Sequence, residues 1–166
     1  LFRSLILLQA PGIIAHELSH ALFCVLSGVR IFRMKLLRFS DPPGYVEHAE
    51  PDDFLSHILV ACGPFLGNSL LALLIAERID VQLLNVATGV YGWFAFVIGL
   101  HAIPSDDDLD GVASSWWSNV RRNWLLIFLV PLVPCLFILK GIKRLHGRVL
   151  YAVALIVLGA WYLKIR

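Results

Sequence analysis

The sequence predicts an all-α multi-pass membrane protein with one short β-hairpin, and two observations predict it. Of 166 residues, 58% are hydrophobic and 16% charged, and the mean hydropathy is +0.77. Soluble domains hold about 45–50% apolar and roughly 25% charged residues. The apolar excess is also gathered into long blocks, each near the roughly 20 residues that cross about 30 Å of hydrocarbon as a helix. A net charge of +2 is too small to argue for nucleic acid as a partner.

The first block runs from about Ser4 to Val29. It lacks a clear small-residue cleavage site and is interrupted by HELSH, His16–His20, which argues against a signal peptide. Pro11-Gly12 is placed either to break the block so that a fresh helix starts ahead of His16 or simply to kink one continuous helix. Basic and apolar residues then alternate from Arg30 to Leu36, followed by the turn signal Asp41-Pro42-Pro43-Gly44 and the short run Tyr45–His48. That pattern predicts a strand, turn and strand at the membrane surface, over about residues 30–48.

Blocks over about residues 54–76 and 81–103 predict the second and third helices. The link that follows opens on the acidic run Asp106–Gly111 and ends in Trp116, Trp117, Arg121 and Arg122. Aromatics beside cations are an interfacial pattern. A fourth block, about Trp124–Leu139, is short and carries Pro131 and Pro134, which predict a kink. A fifth covers about Arg148–Leu163. If all five span, eight Lys/Arg lie on the hairpin side and six on the other, which leans toward a cytoplasmic hairpin. Cys24, Cys62 and Cys135 are odd in number, far apart and within apolar blocks, so they read as small core residues rather than a disulfide framework or zinc site.

Three polar residues inside the first block carry the chemistry. Residues four apart share a helix face, so His16 and His20 can offer two imidazoles to one metal ion. Glu17 beside them is placed to take a proton from a metal-bound water, the H-E-x-x-H logic of metallopeptidases. An ionisable residue near mid-bilayer costs about 2.5–3.5 kcal/mol on insertion scales, which makes the site functional by default. A catalytic zinc needs a third protein ligand and an open position. Candidates are His48, His57, His101, His146 and the Asp106–Gly111 run.

These residues resemble the site-2 protease family of intramembrane zinc metalloproteases. HELSH lies in the first apolar block. "RIFRMKLLRFSDPPGYV" (Arg30–Val46) looks like the basic strand pair ending in Gly-Tyr-Val that follows the family's zinc helix. "ACGPFLGN" (Ala61–Asn68) looks like its Gly-Pro…Asn motif, and "HAIPSDDDLDG" (His101–Gly111) like its Asn-x-x-Pro…Leu-Asp-Gly motif. The resemblance implies a three-helix catalytic core over residues 1–111, with residues 112–166 adding about two further membrane helices. It implies Zn²⁺ as cofactor, hydrolysis of membrane-protein substrates within or near the bilayer, and Glu17 as general base. It also implies an Asp as third ligand. The family's spacing from Pro104 falls on Leu109, so Asp110 of the Leu-Asp-Gly triplet is the first choice and Asp108 the second. His101, standing where the family has Asn, is the third choice. The "P-S-x-x-D" pattern looks like a divergent prokaryotic branch, archaeal especially, and favours Asp108.

By the same carry-over Asn68 would engage substrate, although it lies four after Pro64 where three is usual. Alternatively, Gly63 and Gly67 form a small-residue packing face and Asn68 is an interhelical donor. The strand pair could add an extended substrate to its edge. Two other function classes compete: a catalytically inactive relative serving as membrane scaffold or chaperone, and a transporter that relays ions. The latter calls for ionisable residues in several spans, and blocks two to five carry few.

Overall fold

The computed structural model describes residues 2–80, 82–83, 85–106, 108–112, 141 and 146–162. The fold is helix-rich, with an antiparallel hairpin after the first helix. Helix α1 spans Phe2–Leu26 and runs unbroken through Pro11. Of the two readings of Pro11-Gly12, the break is therefore corrected. The pair marks a contact instead: a Cβ on Gly12 would lie 2.1 Å from the Val97 carbonyl oxygen and 2.6 Å from His101 Nδ1. Only a glycine lets the next-but-one helix approach so closely.

The end of α1 is set by Gly28, whose φ of 68° is left-handed. Val29 N donates to the Cys24 carbonyl at 2.8 Å and Gly28 N to that of Val25 at 3.1 Å, which is a Schellman cap. The chain then enters β1, Ile31–Lys35, which pairs with β2, Tyr45–His48, in an antiparallel register that sets Arg33 opposite Glu47 and Met34 opposite Val46. The connecting loop is pinned by Arg38, whose backbone N–H donates to the Pro43 carbonyl at 2.7 Å and whose guanidinium lies 4.8 Å from the Tyr45 ring centroid.

Helix α2 spans Phe54–Ala76, the bounds expected from sequence. Asp53 caps it, accepting from Ser56 N at 3.0 Å and Ser56 Oγ at 2.6 Å. Helix α3 covers Val86–Leu100 and starts later than the expected 81, because Asn85 caps it by accepting from Thr88 N at 2.9 Å. Helix α4, Gly147–Tyr162, matches the fifth block. The fourth block, the Trp116/Trp117 and Arg121/Arg122 group and Cys135 lie outside the described residues.

Two helices, α1 and α2, are long and apolar enough to cross a membrane. At 15 and 16 residues, α3 and α4 are shorter apolar helices. Large aliphatic side chains line the outside as well as the core. Leu7, Leu8, Leu22, Leu70, Leu74, Val157 and Leu158 face outward, while Ala15, Ala72, Ala76, Ala95 and Ala152 are buried. A Cβ on Gly63 would meet Phe23, one on Gly67 would lie 2.3 Å from Ser19 Oγ, and one on Gly159 would lie 2.6 Å from Ala76 Cβ. Small residues where helices touch let backbones approach and gain dispersion contact. The interior of this bundle therefore has room for polar groups, and Glu17, Ser19, His20 and Asn68 are buried in it.

Candidate metal centre

One turn of α1 presents His16 and His20, whose rings meet edge to face with centroids 4.9 Å apart. Each imidazole is aimed by a carbonyl from another part of the bundle. His16 Nδ1 donates to the His101 carbonyl at 2.7 Å, just past the end of α3. His20 Nδ1 donates to the Val60 carbonyl of α2 at 3.0 Å. A carbonyl only accepts, so the proton of each neutral ring sits on Nδ1 and the lone pair on Nε2. Such outer hydrogen bonds fix tautomer and orientation in histidine metal sites.

The third group is Asp108. Ser105 and Asp108 form a reciprocal capping box at the start of the short helical segment that begins at Asp106. Asp108 N donates to Ser105 Oγ at 3.1 Å, while Asp108 Oδ2 accepts from Ser105 N at 2.7 Å and Ser105 Oγ at 2.5 Å. This turns the carboxylate back toward α1, where Oδ2 lies 3.3 Å from His20 Nε2. Of the two aspartates weighed from sequence, Asp108, the second choice, is half-buried and lies with the histidines, while Asp110, the first, is exposed.

His16, His20 and Asp108 each offer one ligand atom, and those atoms all lie within 4.8 Å of one another, so the cluster can hold a metal ion. Its chemistry asks for a cation. The lone pair of His20 Nε2 faces a carboxylate oxygen, and two acceptors repel unless a proton or metal ion lies between them. A proton serves one pair only, whereas a metal ion serves all three groups. With a proton there, burial pushes the Asp108 carboxyl up. The hydrogen bond and charge of His20, with the Ser105 donors, outweigh burial and hold that carboxyl well below the usual carboxylate range.

The remaining sequence candidates do other work. The His101 imidazole donates to the Val97 carbonyl at 2.9 Å and stands outside the cluster of His16, His20 and Asp108, which it serves through its backbone oxygen. His48 bonds the Ala49 carbonyl at 2.7 Å, and His57 lies 4.0 Å from Glu50. His146 is exposed, with a φ of 57°. Asn68 is fully enclosed. Its Oδ1 accepts from Ser19 Oγ at 3.1 Å, and its Nδ2 points at the carbonyls of Gly12, Ile98 and His101 at 3.4, 3.3 and 3.2 Å. These partners lie on α1, α3 and the turn after α3, so the structure shows Asn68 in the interhelical role that was the alternative from sequence.

Glu17 is 8% exposed and opens on a cleft of ≈ 340 Å³ whose lining includes His16, Gly44, His101, Ser105 and Arg148. The hairpin loop lies directly over it: a Cβ on Gly44 would be 2.8 Å from Glu17 Cγ and 2.9 Å from Oε1. Ser105, the Val60 carbonyl and Arg148 were not picked out from sequence. For Ser105 the signal was present, since Ser-x-x-Asp is a helix-start pattern.

Comparisons with protein-family models, with curated proteins and with solved structures find no match.

Proposed function

We propose that this chain is a zinc-dependent intramembrane endopeptidase of the site-2 protease kind, from a divergent prokaryotic branch. The observation that carries the reading is the convergence of two Nδ1-anchored imidazoles and the Ser105-held Asp108, with Glu17 beside them on an open cleft. Two imidazoles and a carboxylate leaving room for water is a catalytic zinc donor set. Ligands about 2.0–2.2 Å from a tetrahedral zinc sit about 3.3–3.5 Å apart, and His20 Nε2 and Asp108 Oδ2 are 3.3 Å apart.

Zinc bound there would lower the pKa of its water toward about 7 and polarise the scissile carbonyl. Glu17 takes one proton from the attacking water as the water oxygen joins the carbonyl carbon. It then gives that proton to the amide nitrogen as the C–N bond breaks. The His101 and Val60 carbonyls hold the Nδ1–H of His16 and His20, which leaves both Nε2 lone pairs free to donate to a metal ion. The outward-facing leucines and valines meet lipid, and α3 and α4 complete the bundle that keeps the polar cluster off hydrocarbon. Residues 1–111 form the catalytic unit in a prokaryotic cell membrane, with the hairpin on the cytoplasmic side. The substrate is a membrane-protein segment that unwinds to lie extended along the hairpin edge.

Metal analysis of the purified full chain, paired with cleavage of a membrane-protein substrate by Glu17→Gln, tests this. The expected result is about one zinc per chain in both proteins, with cleavage lost in the variant. Protein without zinc, or full cleavage by Glu17→Gln, overturns it.

A further inference from the structure

Arg148 stands in the first turn of α4, and no other charged residue follows it in that helix. Its Nε is enclosed and has no hydrogen-bond partner among the described residues. A buried N–H of this kind is costly to leave unmade. The same side chain borders the cleft that holds Glu17 and His16, and it is the one permanent cation among the described lining residues. Asp106 supplies the acidic charge that acts on it from the protein side.

We propose that Arg148 binds a carboxylate of the substrate and so makes this cleft select acidic peptides. The inference rests on the peptidase reading and adds the substrate's chemistry to it. A guanidinium presents a planar fork of donors that matches a carboxylate in a bidentate pair. A neutral backbone carbonyl engages only part of that fork. In a cleft walled by Ile13, Ile103 and the two prolines of the hairpin loop, the attraction is screened less than in water. The cleft of ≈ 340 Å³ takes a few extended residues rather than a folded helix. The carboxylate comes from an Asp or Glu side chain near the scissile bond or from a free C-terminus.

The test is peptide binding to the full chain in lipid nanodiscs, carrying Glu17→Gln so that the peptide is not consumed. Two pairs of fluorescent peptides are compared: Glu against Gln at one position, and C-terminal acid against C-terminal amide. We expect the carboxylate member of one pair to bind about tenfold tighter or more, and the responding pair identifies the source. Arg148→Gln should remove that preference. Arg148→Lys, which keeps the charge and loses the fork, should keep part of it and carries the test if the Gln variant does not fold. Equal binding within both pairs, or an undiminished preference in either variant, overturns the inference. The readout needs neither metal nor turnover, so a protein that prefers carboxylates but holds no zinc sinks the peptidase reading alone.

Discussion

Two polar clusters are buried against the same stretch of α1, one around Asn68 of α2 and one around His16 and His20, and they differ in how their hydrogen bonds close. Around Asn68 the account balances. Its oxygen takes the Ser19 hydroxyl, and its amide meets carbonyls from α1, α3 and the turn after α3. Around His16, His20 and Asp108 it does not. Both Nδ1 atoms are partnered and Asp108 Oδ2 takes the Ser105 donors, yet that same oxygen lies 3.3 Å from His20 Nε2, an acceptor facing an acceptor when the ring is neutral. Burial of polar groups in a small-residue bundle therefore has two meanings here. A satisfied cluster holds helices together, and a cluster of converging ligand atoms can hold a metal ion.

The sharpest way to break this contrast is to remove the carboxylate. Asp108→Ala should strip the metal from the purified protein, about a hundredfold or more in affinity, while Asp110→Ala should leave the metal content as it is. Equal loss in both variants would erase the distinction between the two aspartates. Next in size is Asn68→Leu. It should lower unfolding free energy by about 2–4 kcal/mol, because Ser19 and the carbonyls lose their partner, while the folded fraction keeps its metal. Metal loss at unchanged thermal stability would show that Asn68 belongs to the centre rather than to the interhelical contacts. Smallest is Ser105→Ala. Loss of the capping box should cost about 1 kcal/mol of stability and about 10–100-fold in metal affinity, since the carboxylate loses the donors that aim it. An unchanged affinity by metal titration would mean that Asp108 is aimed by something other than Ser105.

Much of the bundle is legible in the sequence, and the reasons are local. Asp53 and Ser56 mark the start of α2 where the apolar block begins, and alternating residues around Asp41–Gly44 mark the hairpin. His16, Glu17 and His20 follow from helical spacing alone. What escapes is decided by neighbours far along the chain. Pro11-Gly12 has the composition of a break, but its glycine is a contact with Val97 and His101. For Asn68 the sequence leaves a substrate contact and an interhelical donor both open, and only the folded bundle shows its four partners. Asp108 and Asp110 are separated only by Leu109 in an acidic run, where position in a motif favours one and the capping box with Ser105 favours the other. Arg148 reads as one more loop cation until α4 is packed against α2 and α3.

The carbonyls of Val60 and His101 that aim the two imidazoles belong to α2 and to the end of α3, while Asp108 comes from the segment beyond. An ion held by all three groups is thus a ligand of the assembled state only. Drawing α2 or α3 away from α1 turns an imidazole and spoils the donor set. By mass action such an ion stabilises the closed bundle by about 2.7 kcal/mol at a hundredfold excess over its dissociation constant. Chelation and helix separation are therefore two ends of one equilibrium, so a chelator should act on this protein as a mild denaturant, and a lipid environment that spreads the helices should act as a chelator.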